Sequence, residues 1–299
     1  MNFTVKPTSD EKSDSDAKPS NSQTDEILRE WRESARYWQK HASTIRTMFG
    51  AVTQALIEAA GIIKGKKVLD VAGGPGEPSL TIAELVGPTG SVTCTDVAPE
   101  MIAAATSEAK RRGVANVVFR QCGADSLPFE DSSFDAVVCR LGVMFFPNPV
   151  NGLREILRVT KREGAIALAV WGKSELNPFS YLITDVIARH FGATPPADPN
   201  APGAFRFAEP GALARLLTEA GARDVKELVL RFHIAAPISP QQFWEVRSET
   251  SGTLRAKLAT LAPAQLDLIA QETQEAVREF FPDNQMRFPA QMIIVTGKK

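Results

Sequence analysis

Two features of this 299-residue chain combine residue types and spacings that can do chemistry. The first is the segment Asp70-x-Ala72-Gly73-Gly74-Pro75-Gly76. Glycines at that density let a backbone approach a ligand where any Cβ would collide. A helix starting directly after them offers free N–H groups to the same ligand. The second is Asp96, 20 residues beyond Gly76, where a carboxylate can accept hydrogen bonds from both hydroxyls of a ribose. Together they point to a nucleoside-bearing cofactor. A dinucleotide fingerprint wants G-x-G-x-x-G, but the position three after Gly76 is Ser79, and no G-x-x-x-x-G-K-[ST] occurs. Asp96 does not discriminate, because nicotinamide dinucleotides use the same acid.

Acid–base and nucleophilic groups are few. His233 falls in a strand pattern and His190 at a helix end, both structural settings. His41 lies on an aromatic N-terminal segment that can face the site, but no histidine is assigned a catalytic role. Cys94, Cys122 and Cys139 form no C-x-x-C pair and fall near strand ends, as small core residues do. An odd, sparse count argues against a disulfide framework or a zinc site and suits a reducing cytosol, so a cytoplasmic, metal-free protein is expected. A formal net charge of −1 lacks the basic excess that nucleic-acid binding needs. No apolar run approaches the ~20 residues of a membrane helix.

The elements that must position these residues alternate regularly over 66–172. A short apolar run precedes the glycine loop, and Pro78 and Ser79 suit the first turn of a helix that Gly87 and Pro88 end. Strands follow at 91–97, 117–123, 134–142 and 164–172, with helices at 99–113 and 149–161. Apolar strands separated by helices predict an α/β fold with a doubly wound parallel sheet. Beyond it the pattern predicts a helix at 177–192, a Pro-rich loop at 193–205, a helix at 209–222 and a strand at 225–234. Residues 239–281 read as helical and 291–299 as a last strand, which pairs antiparallel with its predecessor on one sheet edge. Residues 1–24, rich in Ser, Asp, Lys and Pro, read as a disordered tail and not a signal peptide. The expected organisation is that tail, an N-terminal helical cap (25–65) of one or two helices, and one domain (66–299). Within the domain, 66–172 is the cofactor core, and helical insertions after strands 5 and 6, at about 173–207 and 235–285, shape a substrate site.

The runs VLDVAGGPGEPSL, TDVAPEM, ADSLPFEDSSFDAVVCRLGVMFFPNP and REILRVTKREGAIALAVW resemble class I S-adenosylmethionine-dependent methyltransferases. The nearest group is that of the ubiquinone and menaquinone biosynthesis methyltransferases. The resemblance implies a Rossmann-like class I methyltransferase sheet and S-adenosyl-L-methionine as cofactor. Asp70 and the backbone of Ala72, Gly73, Gly74, Pro75 and Gly76 would then hold the methionine end. Asp96 would bind the ribose, with Val97 and Met101 packing near the adenine. Gly123, Ala124 and Asp125 would lie on the loop that reads the adenine edge, and Arg140 beside the mouth where methyl transfer occurs. Two departures stand out: Ala72 replaces the first glycine of D/E-x-G-x-G-x-G, and Gly123 replaces the acid of the G-D-A-E loop.

The activity so implied is methyl transfer to a small-molecule acceptor. The apolar insertions and the Phe145-Phe146 pair suggest a hydrophobic or aromatic one, of quinone, phenol or amine type. No fixed catalytic residue accompanies these motifs, because the sulfonium methyl is already activated and alignment is the enzyme's main task. A general base is needed only for an acceptor that arrives protonated. Trp31 and Trp38, seven apart, fit a buried helix stripe or a lid that sets Tyr37 or Trp38 against the sulfonium. The residues also leave open an NAD-dependent oxidoreductase, disfavoured by the loop spacing, and a non-catalytic S-adenosylmethionine-binding protein.

Overall fold

Parallel neighbours need a crossover connection, so strands alternating with helices tend to build one sheet covered on both faces. The computed structural model describes residues 21–192, 198 and 200–299, and the expected tail therefore lies, up to residue 20, outside the described residues. Three helices come first: α1 (Asn21–Lys40), α2 (Ala42–Met48) and α3 (Gly50–Ala59). The core then runs β1 (Lys67–Val71), α4 (Ser79–Val86), β2 (Ser91–Asp96), α5 (Pro99–Arg112), β3 (Val117–Gln121), β4 (Phe134–Arg140), α6 (Pro149–Val159) and β5 (Thr160–Trp171). These five strands pair in parallel in the order β3-β2-β1-β4-β5. Local chemistry sets the boundaries. Pro99 opens α5 and Gly113, in the left-handed region at φ 67°, closes it. The Asn148 side chain caps α6 by accepting from the Asn151 amide at 3.0 Å.

The remainder is α7 (Pro178–Phe191), α8 (Ala212–Glu219), β6 (Arg223–Ala236), α9 (Pro240–Thr250), α10 (Gly252–Leu258), α11 (Pro263–Ala276) and β7 (Met286–Lys298). β7 inserts between β5 and β6 and runs antiparallel to both, giving seven strands in the order β3-β2-β1-β4-β5-β7-β6. The expected antiparallel pair and both helical insertions are present. The winding direction reverses between β1 and β4, and a ligand crevice opens at such a point beyond the strands' carboxyl ends.

Four local expectations are corrected. α1 begins at Asn21, so residues 21–24 are helical rather than tail. The cap has three helices rather than one or two, because the backbone leaves helical geometry at His41 (ψ 12°) and Phe49 (φ −108°, ψ 15°). The Phe49 break turns its ring into an aromatic core beside Trp171 and Phe179. β3 is an edge strand with Val118 half-exposed, so it is not buried on both faces. β7 starts five residues before the expected 291, because Phe288 and Ala290 continue its buried face. Of the Pro-rich loop expected at 193–205, residues 193–197 and 199 lie outside the described residues. Among the described residues, no helix is long and apolar enough to cross a membrane.

Candidate functional site

The glycine loop leaves β1 at the crevice. Asp70 is fully buried beneath it, and its Oδ2 accepts from the Ser79 amide (3.1 Å) and the Ser79 hydroxyl (2.6 Å) at the start of α4. Its Oδ1 is buried and bonded to nothing in the protein. Burial pushes the Asp70 pKa up to about 7, although Ser79 and the nearby Arg140 pull it down. Ala72 stands in the left-handed region at φ 57°, where its Cβ is disfavoured, and Leu141, just past β4, does the same at φ 65°. Gly142 packs so closely that a Cβ there would fall 2.5 Å from the Ala72 Cβ. A Cβ on Gly73 would meet Cys94 Sγ and Asp70 Oδ2, whereas Gly74, at φ 55°, faces open space. Non-glycine residues thus stand at positive φ on both sides of the switch point.

Asp96 ends β2 beside this loop. Its Oδ2 accepts from the Gly74 amide (3.0 Å) and its Oδ1 from the Ala98 amide (2.9 Å). A carboxylate has about four acceptor positions, so two remain for hydroxyl donors. Burial raises the Asp96 pKa to about 6 against these backbone bonds. Asp70, Gly73, Gly74 and Asp96 are thus brought together as expected. Val97 follows with its side chain 42% exposed. Met101 is placed differently: it is buried under α1 with Ala35 and Ala98, not open to the crevice. Past β3, Gly123 and Ala124 are partly buried and Asp125 is exposed. Asp125 turns back, and its Oδ1 lies 2.7 Å from where a Gly123 Cβ would be, so its carboxylate fills the space vacated by the missing acid.

Arg140, at the end of β4, is fully engaged. Nη1 donates to Thr53 Oγ1 and Nη2 to the Glu77 carbonyl, both at 3.0 Å, which ties α3 to the glycine loop. Burial lowers its pKa, and Glu77 and Asp70 oppose that. Above the crevice, α1 lies across α5 and sets Trp31 edge-on to Phe145, with centroids 5.1 Å apart, and against Trp38 at 6.1 Å. The Trp38 indole donates to the Thr250 carbonyl on α9 at 3.1 Å. Tyr37 is not available to a sulfonium, because Arg36 and Arg255 both lie over its ring. His41 is held by Glu249 at 2.6 Å and His190 faces Glu272 at 3.2 Å, while His233, on β6, pairs with Pro289 of β7. Cys94 and Cys139 are buried, and desolvation lifts the Cys139 thiol to about 12. Among the described residues, no three His, Cys, Asp or Glu side chains are placed to share a metal ion. Sequence reasoning missed Ser79 as the Asp70 partner and Gly142 as the Ala72 neighbour, because both contacts close only in three dimensions.

Residues 62–185 match the methyltransferase domain family. The match covers the glycine loop, Asp96 and Arg140, and the strand order is similar to that of class I methyltransferase sheets. The ubiquinone/menaquinone biosynthesis C-methyltransferase UbiE of Pasteurella multocida is 35% identical over 125 residues, 42% of this chain and 47% of that protein. The chain therefore spans about half the length of the curated relatives it matches. The YcgJ protein of Bacillus subtilis shares the fold at a TM-score of 0.53 and 21% identity, over 84% of this chain and 98% of that one. Haemonchus contortus phosphoethanolamine N-methyltransferase 2, solved with S-adenosyl-L-methionine, aligns at a TM-score of 0.53 and 16% identity, over 91% of this chain and 60% of that one.

Proposed function

We propose that this protein transfers the methyl group of S-adenosylmethionine to a small, apolar acceptor of quinone, phenol or amine type. The observation that carries the reading is the joined unit of glycine loop and Asp96, above a buried Asp70 whose Oδ1 has no partner. Those residues fit the cofactor. A buried carboxylate oxygen without a donor suits the methionine ammonium, and the free lone pairs of Asp96 suit ribose hydroxyls. Gly74 gives the backbone room to approach, and Gly123, Ala124 and Asp125 form the adenine side.

When bound, S-adenosylmethionine supplies a sulfonium methyl whose leaving group is a neutral thioether. The chain's own residues orient and enclose. Asp70 would hold the methionine ammonium and Asp96 the ribose hydroxyls, and Arg140 fixes the cap against the glycine loop. Trp31 on Phe145 excludes water from above. Such positioning is worth roughly 7–11 kcal/mol of barrier. His41, the histidine nearest to a base role in sequence, is committed to Glu249. An acceptor that arrives already deprotonated, as a phenolate or a neutral amine, fits a site of this kind.

The test is calorimetry with S-adenosylmethionine and with NAD. Saturable S-adenosylmethionine binding that Asp96→Ala abolishes, followed by methyl transfer to a phenol, quinol or amine, is the expected result. Binding of NAD alone would sink the reading.

A further inference from the structure

Arg247, on α9, carries a charge that nothing among the described residues neutralises. Its guanidinium lies over the Phe179 ring, 4.6 Å from the centroid. Nε is buried without a partner, and neither a hydrogen bond nor an ion pair engages the terminal nitrogens, which keep access to solvent. Other enclosed arginines of this fold are provided for. Arg112 meets Glu77 and Glu84, Arg158 meets Glu155 and Asp131, Arg140 meets Thr53 and a carbonyl, and Arg206 donates to the Phe146 carbonyl at 2.7 Å. Burial pulls the Arg247 pKa down to about 10 with no acid opposing it, so the group remains charged at neutral pH. A partly desolvated, unpaired charge is costly, and the face of one aromatic ring returns only part of that cost. Perturbed charged groups of this kind cluster at functional sites.

The position of Arg247 says which ligand. Phe179 stacks on Trp171 at the end of β5 (centroids 6.4 Å apart) and meets Phe49 edge-on at 6.5 Å. Phe49 in turn lies 5.8 Å from the Arg140 guanidinium, which holds the glycine loop through the Glu77 carbonyl. Arg247 therefore stands two rings from the cofactor loop, on the β4–β5 side of the crevice and away from Asp96. A methyl acceptor must lie on that side, because Asp96 and the adenine loop occupy the other. A single guanidinium matches the single charge and planar fork of a carboxylate, whereas a phosphate dianion calls for more than one cation.

We propose that Arg247 binds the carboxylate of the methyl acceptor, and that the acceptor is a ring-bearing organic acid. This rests on the methyltransferase reading above.

The experiment uses the full chain saturated with S-adenosylhomocysteine. It is titrated with benzoate, 3,4-dihydroxybenzoate, indole-3-carboxylate and quinoline-2-carboxylate, each beside its methyl ester. The wild type should bind at least one acid tenfold or more tightly than its ester. Arg247→Met should abolish that preference, weakening the acid at least tenfold and the ester less than twofold, and Arg247→Lys should recover part of it. Because Arg247→Met removes an unpaired charge, its thermal midpoint should be unchanged or higher, which separates lost binding from lost folding. Acids and esters binding alike, no acid binding, or equal loss of both in Arg247→Met would overturn the proposal while leaving the cofactor reading intact. Failure of the wild type to bind S-adenosylhomocysteine, measured first, would instead overturn both.

Discussion

The Gly74 amide donates to Asp96 Oδ2 at 3.0 Å, which makes the glycine loop after β1 and the end of β2 a single structural unit. Asp96 is thus a scaffold for the loop as well as an acceptor toward a ligand. Its other oxygen is fixed by the Ala98 amide, so the carboxylate plane is set before any ligand arrives. Preorganisation of this kind lowers the ordering cost of binding.

Asp96→Asn tests that dual role. The amide keeps one acceptor oxygen and replaces the other with a donor, so either the Gly74 or the Ala98 N–H loses its partner. A lost bond to a charged group is worth about 1.5–3 kcal/mol. S-adenosylmethionine affinity should fall by roughly ten- to a hundredfold on that scale. Calorimetry that finds the affinity of Asp96→Asn equal to wild type would remove Asp96 from the site.

Asp70 sets a pH dependence. Its folded pKa of about 7 lies above the ordinary carboxylate value of 3.8, so the folded state holds a proton that the unfolded state releases first. Stability is then greatest below about pH 4 as far as this group is concerned, and declines as pH rises toward 7. Asp96, raised to about 6, acts with the same sign. Asp70→Asn should remove most of this decline and raise the thermal midpoint at pH 8 more than at pH 5. Bound S-adenosylmethionine should counter the decline, because its ammonium favours ionised Asp70, and its affinity should weaken as pH falls from 8 to 5. Thermal unfolding with and without cofactor at the two pH values checks both signs.

The cofactor side was legible because it is local. The glycine loop and Asp96 fall within 27 residues, and each sits where a strand meets a helix or loop. The alternation of elements also fixed the sheet, down to the antiparallel last pair. What was not legible depends on contacts distant in sequence. Met101 is hidden because α1 crosses α5, and nothing near Met101 signals a helix that begins at Asn21. Tyr37 is lost to a sulfonium because Arg255, far along the chain, stacks on it. Arg247 looks like any exposed arginine until Phe179 is brought beneath it.

The Ala72–Gly142 contact predicts a rescue. Gly142→Ala would bring a new Cβ to within 2.5 Å of the Ala72 Cβ and 2.9 Å of Cys139 Sγ. Overpacking of this kind costs about 1–3 kcal/mol. Ala72→Gly removes one of the two clashing carbons and also relieves the positive φ. The double variant should recover at least ~1 kcal/mol beyond additivity, as directly touching residues do. Denaturant unfolding of the four proteins gives the coupling. A coupling near zero would mean that the ends of β1 and β4 move apart freely, and that the strained crevice is not rigid.

Trp31 tests the cap. It is held edge-on by Phe145 and Trp38, contacts worth about 0.5–1.5 kcal/mol each beyond their area. Phe145 follows β4 and Trp31 rides on α1, so the pair joins the two sides of the crevice. If α1 encloses the cofactor, Trp31→Ala should speed S-adenosylhomocysteine release by several-fold and leave the fold standing, since α1 keeps its Ala35 and Met101 packing and the Arg32–Glu100 ion pair. Trp31→Phe should keep most of the closure, because a smaller ring still reaches Phe145. Stopped-flow release followed by tryptophan fluorescence, with Trp38 as the remaining reporter on α1, measures this directly. An unchanged release rate in Trp31→Ala, with an unchanged thermal midpoint, would reduce α1 to packing on α5.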